Sequence, residues 1–229
     1  MQFKDKVIVI TGSSKGLGLL LAEKFIQDGA QVVLSSSGKD SLENATSHLG
    51  TMGVLCDVSK EKDVQNLVTQ VVSKFGRIDI WINNAGIWIP ESRIENISID
   101  RVKDMFDVNV FGLIYGSQYA LRQMLMQTQG TIINIISTSA LDGKALISGY
   151  SSSKWAAAGF TKALRAENKD SNIKIYSIYP GGMKTHLFDE NPPKDYKDYM
   201  DPETIVEKII ENLNKDVPEE ELILKRPTV

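Results

Sequence analysis

The chain has 229 residues, 42% of them hydrophobic and 24% charged, a balance that fits one globular domain of ordinary size and excludes a mainly disordered chain. Its 26 basic and 29 acidic residues leave a net charge of −3, without the positive surplus that binding to a nucleic-acid backbone or an anionic membrane needs. No apolar run approaches the roughly 18 residues of a membrane span, the first residues carry no apolar signal region, and the single cysteine, Cys56, forms no internal disulfide, so a cytoplasmic, reducing setting is expected.

In chain order, residues 6–11 read as an apolar, β-branched strand that turns into a helix over 16–28, with Leu17, Leu20, Leu21, Phe25 and Ile26 on one side and Gly29 as its stop. A strand at 31–35 leads to a weaker helix at 39–48. The strand at 52–57 leads to a helix over 60–75, capped by Ser59, closed by Gly76 and presenting Val64, Leu67, Val68, Val71 and Val72. After a strand at 78–83, a helix starts at Ser98 and extends toward Gln129, with Gly112 and Gly116 as points where it could break. Strands at 131–137, 173–179 and 221–225 alternate with helices over 150–168 and 203–214, the latter opened by Asp201 as cap and Pro202 at its first helical position. Strand–helix alternation with strands apolar on both faces predicts an α/β fold, a doubly wound parallel sheet of about seven strands covered by helices on both sides, as one domain over residues 1–229. Segment 186–200, with Pro192-Pro193, Tyr196 and Tyr199, lacks periodicity and reads as a substrate-binding lid or a surface loop.

Ligands of open parallel sheets sit beyond the carboxyl ends of the strands, so the first turn comes first. It reads Thr11-Gly12-Ser13-Ser14-Lys15-Gly16-Leu17-Gly18. Three glycines allow a tight turn and a close approach to a pyrophosphate, whose charge the following helix N-terminus favours. The spacing matches neither the G-x-G-x-x-G fingerprint nor a triphosphatase loop, which weighs against an ATPase; close helix–sheet packing is the other reading. Tyr150 and Lys154 stand one helical turn apart on one face. A phenol ionises near pH 10, and a nearby ammonium favours its phenolate, which would make the pair an acid–base device; an ordinary amphipathic helix has the same spacing. Ser137 at the ligand edge of the fifth strand, or Ser139 beside it, offers a hydroxyl to a substrate oxygen. No Cys/His cluster has metal-ligand spacing, so no metal is expected.

Taken jointly, these residues resemble the short-chain dehydrogenase/reductases. Residues 11–18 look like that family's cofactor loop, Asn83-Asn84-Ala85-Gly86 like its sheet-stabilising motif, Tyr150-Ser151-Ser152-Ser153-Lys154 like its Tyr-x-x-x-Lys, and Pro180-Gly181-Gly182-Met183-Lys184-Thr185 like its nicotinamide-side loop. The resemblance covers nearly the whole chain and keeps the family's order of motifs. It implies a Rossmann-type, three-layer α/β/α fold and hydride transfer between NAD(P)(H) and a carbonyl or alcohol. It also implies a catalytic group of Tyr150 as acid–base, Lys154 orienting the ribose and lowering the tyrosine pKa, Ser137 holding the reacting oxygen and Asn109 completing a proton relay. The cofactor contacts it implies are Gly12, Ser14, Lys15, Gly16, Leu17 and Gly18; Ser36 and Ser37; Asp57 and Val58; Asn84, Ala85 and Gly86; Tyr150 and Lys154; and Pro180, Gly181, Met183 and Thr185. Taken alone, Asn109 also suits a structural hydrogen bond and Asp57 a helix start.

NADP(H) is expected over NAD(H), because the second strand ends Leu34-Ser35-Ser36-Ser37-Gly38 with no carboxylate before Asp40 to repel a 2′-phosphate, and Lys15 adds positive charge. The arginine usual after this strand in NADP-using relatives is absent, which leaves NAD(H) open. Trp88, Leu141, Lys144, Leu146, Met183, His186, Leu187, Phe188 and the loop tyrosines are expected to line a mostly apolar pocket for a small to medium carbonyl compound. Such a molecule is the expected partner, with neither nucleic acid nor membrane. Helices over 101–126 and 150–165 suggest a family-type homodimer, while the ending at 221–229 puts the family's tetramer contact in doubt. The alternative function is an NADP(H)-binding redox sensor without turnover.

Overall fold

The computed structural model describes residues 3–189 and 191–226; Met1, Gln2, Glu190 and residues 227–229, part of the span and of the loop assigned above, lie outside them. Its strands are β1 (Val7–Thr11), β2 (Gln31–Ser36), β3 (Met52–Leu55), β4 (Ile80–Asn83), β5 (Gly130–Ile135), β6 (Ile173–Pro180) and β7 (Glu221–Leu224). They form one parallel sheet in the order β3-β2-β1-β4-β5-β6-β7. The helices are α1 (Gly16–Gln27), α2 (Lys39–Leu49), α3 (Glu61–Phe75), α4 (Ile99–Phe106), α5 (Gly112–Gln127), α6 (Ser148–Glu167) and α7 (Pro202–Leu213).

Successive side chains of a strand point to opposite faces, and here both faces are buried, so the sheet carries two cores. Ile8, Ile10 and Leu34 pack with Leu21 and Phe25 of α1, Leu42 of α2 and Ile209 of α7. Val7, Val9 and Trp81 pack on the other side with Val64 and Leu67 of α3, Met124 of α5 and Leu164 of α6. The expected doubly wound, three-layer architecture is therefore the observed one. The chain runs outward from β1 through β2 to β3 and then crosses back to β4, so the strand order reverses between β1 and β4, and the carboxyl edge at such a switch point is where open parallel sheets bind ligands.

Two local expectations change. The helix from Ser98 is not one regular α-helix: a π-helical stretch, Asp107–Phe111, joins α4 to α5 and turns Asn109 into the interior. Gly116 does not break it but lets α5 approach β4, since a Cβ there would collide with Asn83 Oδ1. Ser59 does not cap α3; its hydroxyl donates to Asp57 Oδ1 at 2.7 Å, and Lys60 holds the cap position. Asp201 does cap α7, accepting from the Glu203 N–H at 3.0 Å, with Pro202 as the first helical residue.

Asn83 joins four elements at the site's floor. Its Oδ1 accepts from Trp81 Nε1 at 2.7 Å, and its Nδ2 donates to Ser117 Oγ at 3.0 Å and Asn134 Oδ1 at 2.8 Å. Asn134 Nδ2 in turn donates to Thr161 Oγ1 of α6 at 2.9 Å. All these groups are buried, so deleting the amide leaves desolvated partners without bonds. Asn83→Ala is expected to lower the unfolding free energy by about 3 kcal/mol, read as a lower urea midpoint at unchanged slope.

Candidate active site

The crevice begins where β1 ends. Gly12 turns the chain at φ 62°, and a Cβ there would stand 2.7 Å from Ala85 Cα, so the loops after β1 and β4 meet through a bare backbone. Thr11 Oγ1 accepts from the backbone N–H groups of Asn84 and Ala85, both at 3.1 Å, and Asn84 Nδ2 donates to the carbonyls of Thr11 and Gly12 at 3.0 and 2.9 Å. The Asn84 side chain therefore braces the turn. No side chain caps α1 and no acid sits in its first turn, which leaves its leading N–H groups and dipole suited to an anion.

From this turn a cavity of about 500 Å³ runs past Ser36 and Ser37, then Asp57 and Val58, then Asn84, Ala85 and Gly86, to Ser137, Tyr150 and Lys154, with Pro180, Gly181, Met183 and Thr185 on its far wall. Gly12, Ser14, Lys15, Gly16 and Leu17 line its near end, whereas Gly18 lies behind the turn against Gly12 O and Asn84. Hydroxyls gather at the end of β2: Ser14 Oγ donates to Ser36 Oγ at 2.9 Å, and Ser41 Oγ donates to Ser14 Oγ at 3.2 Å. Ser41, on α2, was not singled out from sequence. Asp57 lines the cavity and accepts from Ser59 N and Oγ at 3.1 and 2.7 Å, but Lys60 rather than Asp57 stands at the cap position of α3. Burial pushes its carboxyl up, but the bonds from Ser59 and Lys60 outweigh that and hold it below the usual carboxylate range.

At the closed end, α6 presents Tyr150 and Lys154, both buried, with the Lys154 ammonium 5.7 Å from the centre of the phenol ring. The Ser137 hydroxyl lies near enough to the Tyr150 phenol to pull its pKa down, and it accepts from the Ser139 N–H at 3.1 Å. Ser139 lines the cavity too, but its carbonyl is held by Ser151 Oγ at 3.1 Å. Asn109 sits behind this group: Oδ1 accepts from Ile87 N at 2.8 Å, while Nδ2 donates to Ile87 O at 3.0 Å and Ser153 Oγ at 3.2 Å. Asn109 Oδ1 and Lys154 Nζ flank Gly86, whose added Cβ would lie 3.3 and 3.6 Å from them.

Burial pushes the Tyr150 phenol up to about 12, only partly offset by the Ser137 hydroxyl and reinforced by Tyr199. Burial also pulls the Lys154 ammonium down to about 8. The expectation of a phenol lowered by its ammonium neighbour is thus reversed within the protein's own groups, because a shared low-dielectric site favours the neutral form of each. A lysine whose folded pKa is depressed adds stability above its unfolded pKa and loses it as pH falls through the folded one. Lys154→Met is therefore expected to stabilise the protein at pH 7 by roughly 3 kcal/mol, an advantage that shrinks as pH rises from about 8 toward 10.5, as urea unfolding of both proteins would show.

Beyond Tyr150 the wall is aromatic: Trp88 meets the Tyr150 ring edge-on at 4.8 Å and Phe188 meets Trp88 at 5.4 Å. Lys144, Met183, His186, Leu187 and Tyr199 line this end as expected; Leu141, Leu146 and Tyr196 do not. His186 pairs with Asp189 at 2.9 Å. Glu91, Asp195 and Arg226 also line it and carried no signal in the sequence. Among the described residues there is no cluster of three or more His, Cys, Asp or Glu placed to hold a metal. No described helix is long and apolar enough to cross a membrane.

A model of the short chain dehydrogenase family matches residues 6–195. An uncharacterized oxidoreductase of Bacillus subtilis is 32% identical over 91% of this chain, which spans only 63% of that relative's length. An uncharacterized oxidoreductase of Staphylococcus aureus is 34% identical over 90% of each chain. Among solved structures, an alcohol dehydrogenase from the archaeon Thermococcus sibiricus, complexed with 5-hydroxy-NADP, superposes with a TM-score of 0.88 at 30% identity, covering 99% of this chain and 100% of its own. A 3-ketoacyl-(acyl-carrier-protein) reductase from Brucella melitensis, complexed with NADH, superposes with a TM-score of 0.89 at 25% identity, covering 96% and 97%.

Proposed function

Within the short chain dehydrogenase family, to which this chain belongs, we propose that it works as an NADPH-dependent carbonyl reductase or alcohol dehydrogenase on a small to medium carbonyl or alcohol substrate. It is a nicotinamide-dependent oxidoreductase by family; the finer reading rests on the site. One observation carries it: Ser137, Tyr150 and Lys154 are buried together at one end of a cavity whose other end is the uncapped start of α1. A bound nicotinamide cofactor supplies or accepts the hydride. The N–H groups at the start of α1 would hold its pyrophosphate. The hydroxyls of Ser14, Ser36 and Ser37, with Lys15, would hold a 2′-phosphate, and no carboxylate lies among them. Lys154 would bond the ribose.

Ser137 and Tyr150 would grip the substrate oxygen, and the Tyr150 O–H would give its proton to that oxygen during reduction or take it back in the reverse direction. A phenol pushed up to about 12 is protonated at neutral pH, hence loaded as the acid for reduction. Asn109, fully bonded to Ile87 and Ser153, would keep the loop after β4 and α6 in register around Lys154. The exposed Phe111 at the end of the π-helical stretch, Leu125 and Met126 of α5 and Trp155 of α6 support a homodimer, and the cell setting proposed is the cytoplasm. Incubation with NADPH and a panel of ketones, aldehydes and quinones should consume the reduced-nicotinamide absorbance with at least one of them. Tight NADPH binding without consumption on any member would favour the redox sensor instead.

A further inference from the structure

We infer that Arg226 is a positioning residue for the reaction, a latch that holds Tyr199 and the loop after β6 against the reacting end of the cavity. β7 ends at Leu224, whose carbonyl accepts from the Gly181 N–H at 2.8 Å, so the chain leaves the sheet beside that loop. Arg226 then reaches back. Its Nη1 pairs with Asp195 Oδ2 at 2.7 Å, and its guanidinium lies 4.5 Å over the Tyr199 ring. The loop is closed at its base by Lys184 N–H to Met200 O and Met200 N–H to Gly182 O, both at 2.9 Å. Gly182 admits the Tyr199 ring, which lies where a Cβ would be.

From Tyr199 the contacts lead to the chemistry. Phe188 stands 5.3 Å from Tyr199, Trp88 5.4 Å from Phe188, and Tyr150 4.8 Å from Trp88. Tyr199 also feeds electrostatically into Tyr150. Lys144 acts on Asp195 and Glu91 on Tyr199, but Arg226 engages both Asp195 and Tyr199 at close range. Its side chain is 29% exposed, so the contacts are partly shielded from water. Removing it loosens one wall of the substrate end and leaves α6, the sheet and the glycine turn intact. Substrate affinity should fall more than turnover.

The inference rests on reading the cavity as a reductase site, so one readout is independent of activity. Hydrogen exchange at the Lys184 and Met200 amides is compared between wild type, Arg226→Ala, Arg226→Lys and Asp195→Asn, alongside kinetics on a carbonyl from the panel. In Arg226→Ala, exchange at both amides and the KM for the carbonyl should each rise about 10-fold, with kcat changed by about 2-fold or less; Arg226→Lys should recover part of both losses and Asp195→Asn should show smaller ones. Unchanged exchange overturns the latch. Faster exchange with an unmoved KM overturns the positioning role, as does a fall in kcat and melting temperature alone. A wild type that consumes no NADPH with any carbonyl defeats the proposed activity, and the exchange comparison still decides the latch.

Discussion

Tyr150→Phe is expected to cut turnover about 1000-fold while leaving cofactor affinity and melting temperature close to wild type. The substitution removes one oxygen and keeps the ring that Trp88 packs against. Its structural cost is at most one polar contact beside Ser137, about 1 kcal/mol, too little to unfold a domain. Its chemical cost is the proton donor itself, and the Lys154 ammonium, 5.7 Å from the centre of the phenol ring, does not stand where the lost hydroxyl stood. Ser137→Ala should cost about 100-fold, since one of two groups on the reacting oxygen survives. Initial rates of NADPH oxidation, paired with fluorescence titration of the cofactor, separate loss of chemistry from loss of binding. A Tyr150→Phe variant within about 10-fold of wild type would remove the phenol from the mechanism.

The second large effect concerns the end of β2. Ser36→Asp is expected to weaken NADPH binding about 100-fold and to strengthen NADH binding, reversing the preference. Ser36 Oγ accepts from Ser14 Oγ at 2.9 Å and faces the cavity, so a carboxylate there would meet a 2′-phosphate within a few ångströms. Repulsion between unit charges about 4 Å apart near a protein surface is roughly 4 kcal/mol, enough for that change even after solvent screening. The same carboxylate would accept a bond from a ribose 2′-hydroxyl. Side-by-side titrations of wild type and variant with both cofactors give the answer, and tighter NADH than NADPH binding by wild type would contradict the reading of Ser14, Ser36 and Ser37.

The architecture could be read from the residues because strands buried on both faces appear as unbroken apolar runs, such as Val7-Ile8-Val9-Ile10, between helical periodicities. The turn after β1 and the Tyr150–Lys154 spacing were readable as short-range patterns on single elements, whereas most of the remaining cavity lining came from the family resemblance. The π-helical stretch was not, because the bonds of Asn109 to Ile87, which hold that segment inward, are tertiary. Arg226 escaped notice because its partners, Asp195 and Tyr199, lie on a distant loop brought close only by the pairing of β6 with β7. The direction of the Tyr150 shift depends on burial, which no residue spacing encodes.

The most direct measurement is isotopic. The protein is given NADPH fully deuterated at the hydride-donating ring carbon together with a ketone from the panel, and the alcohol formed is weighed by mass spectrometry. One deuterium on the carbinol carbon, lost with Tyr150→Phe, is the predicted result. NADPH that stays bound and unconsumed, with no label in any product, would contradict the account.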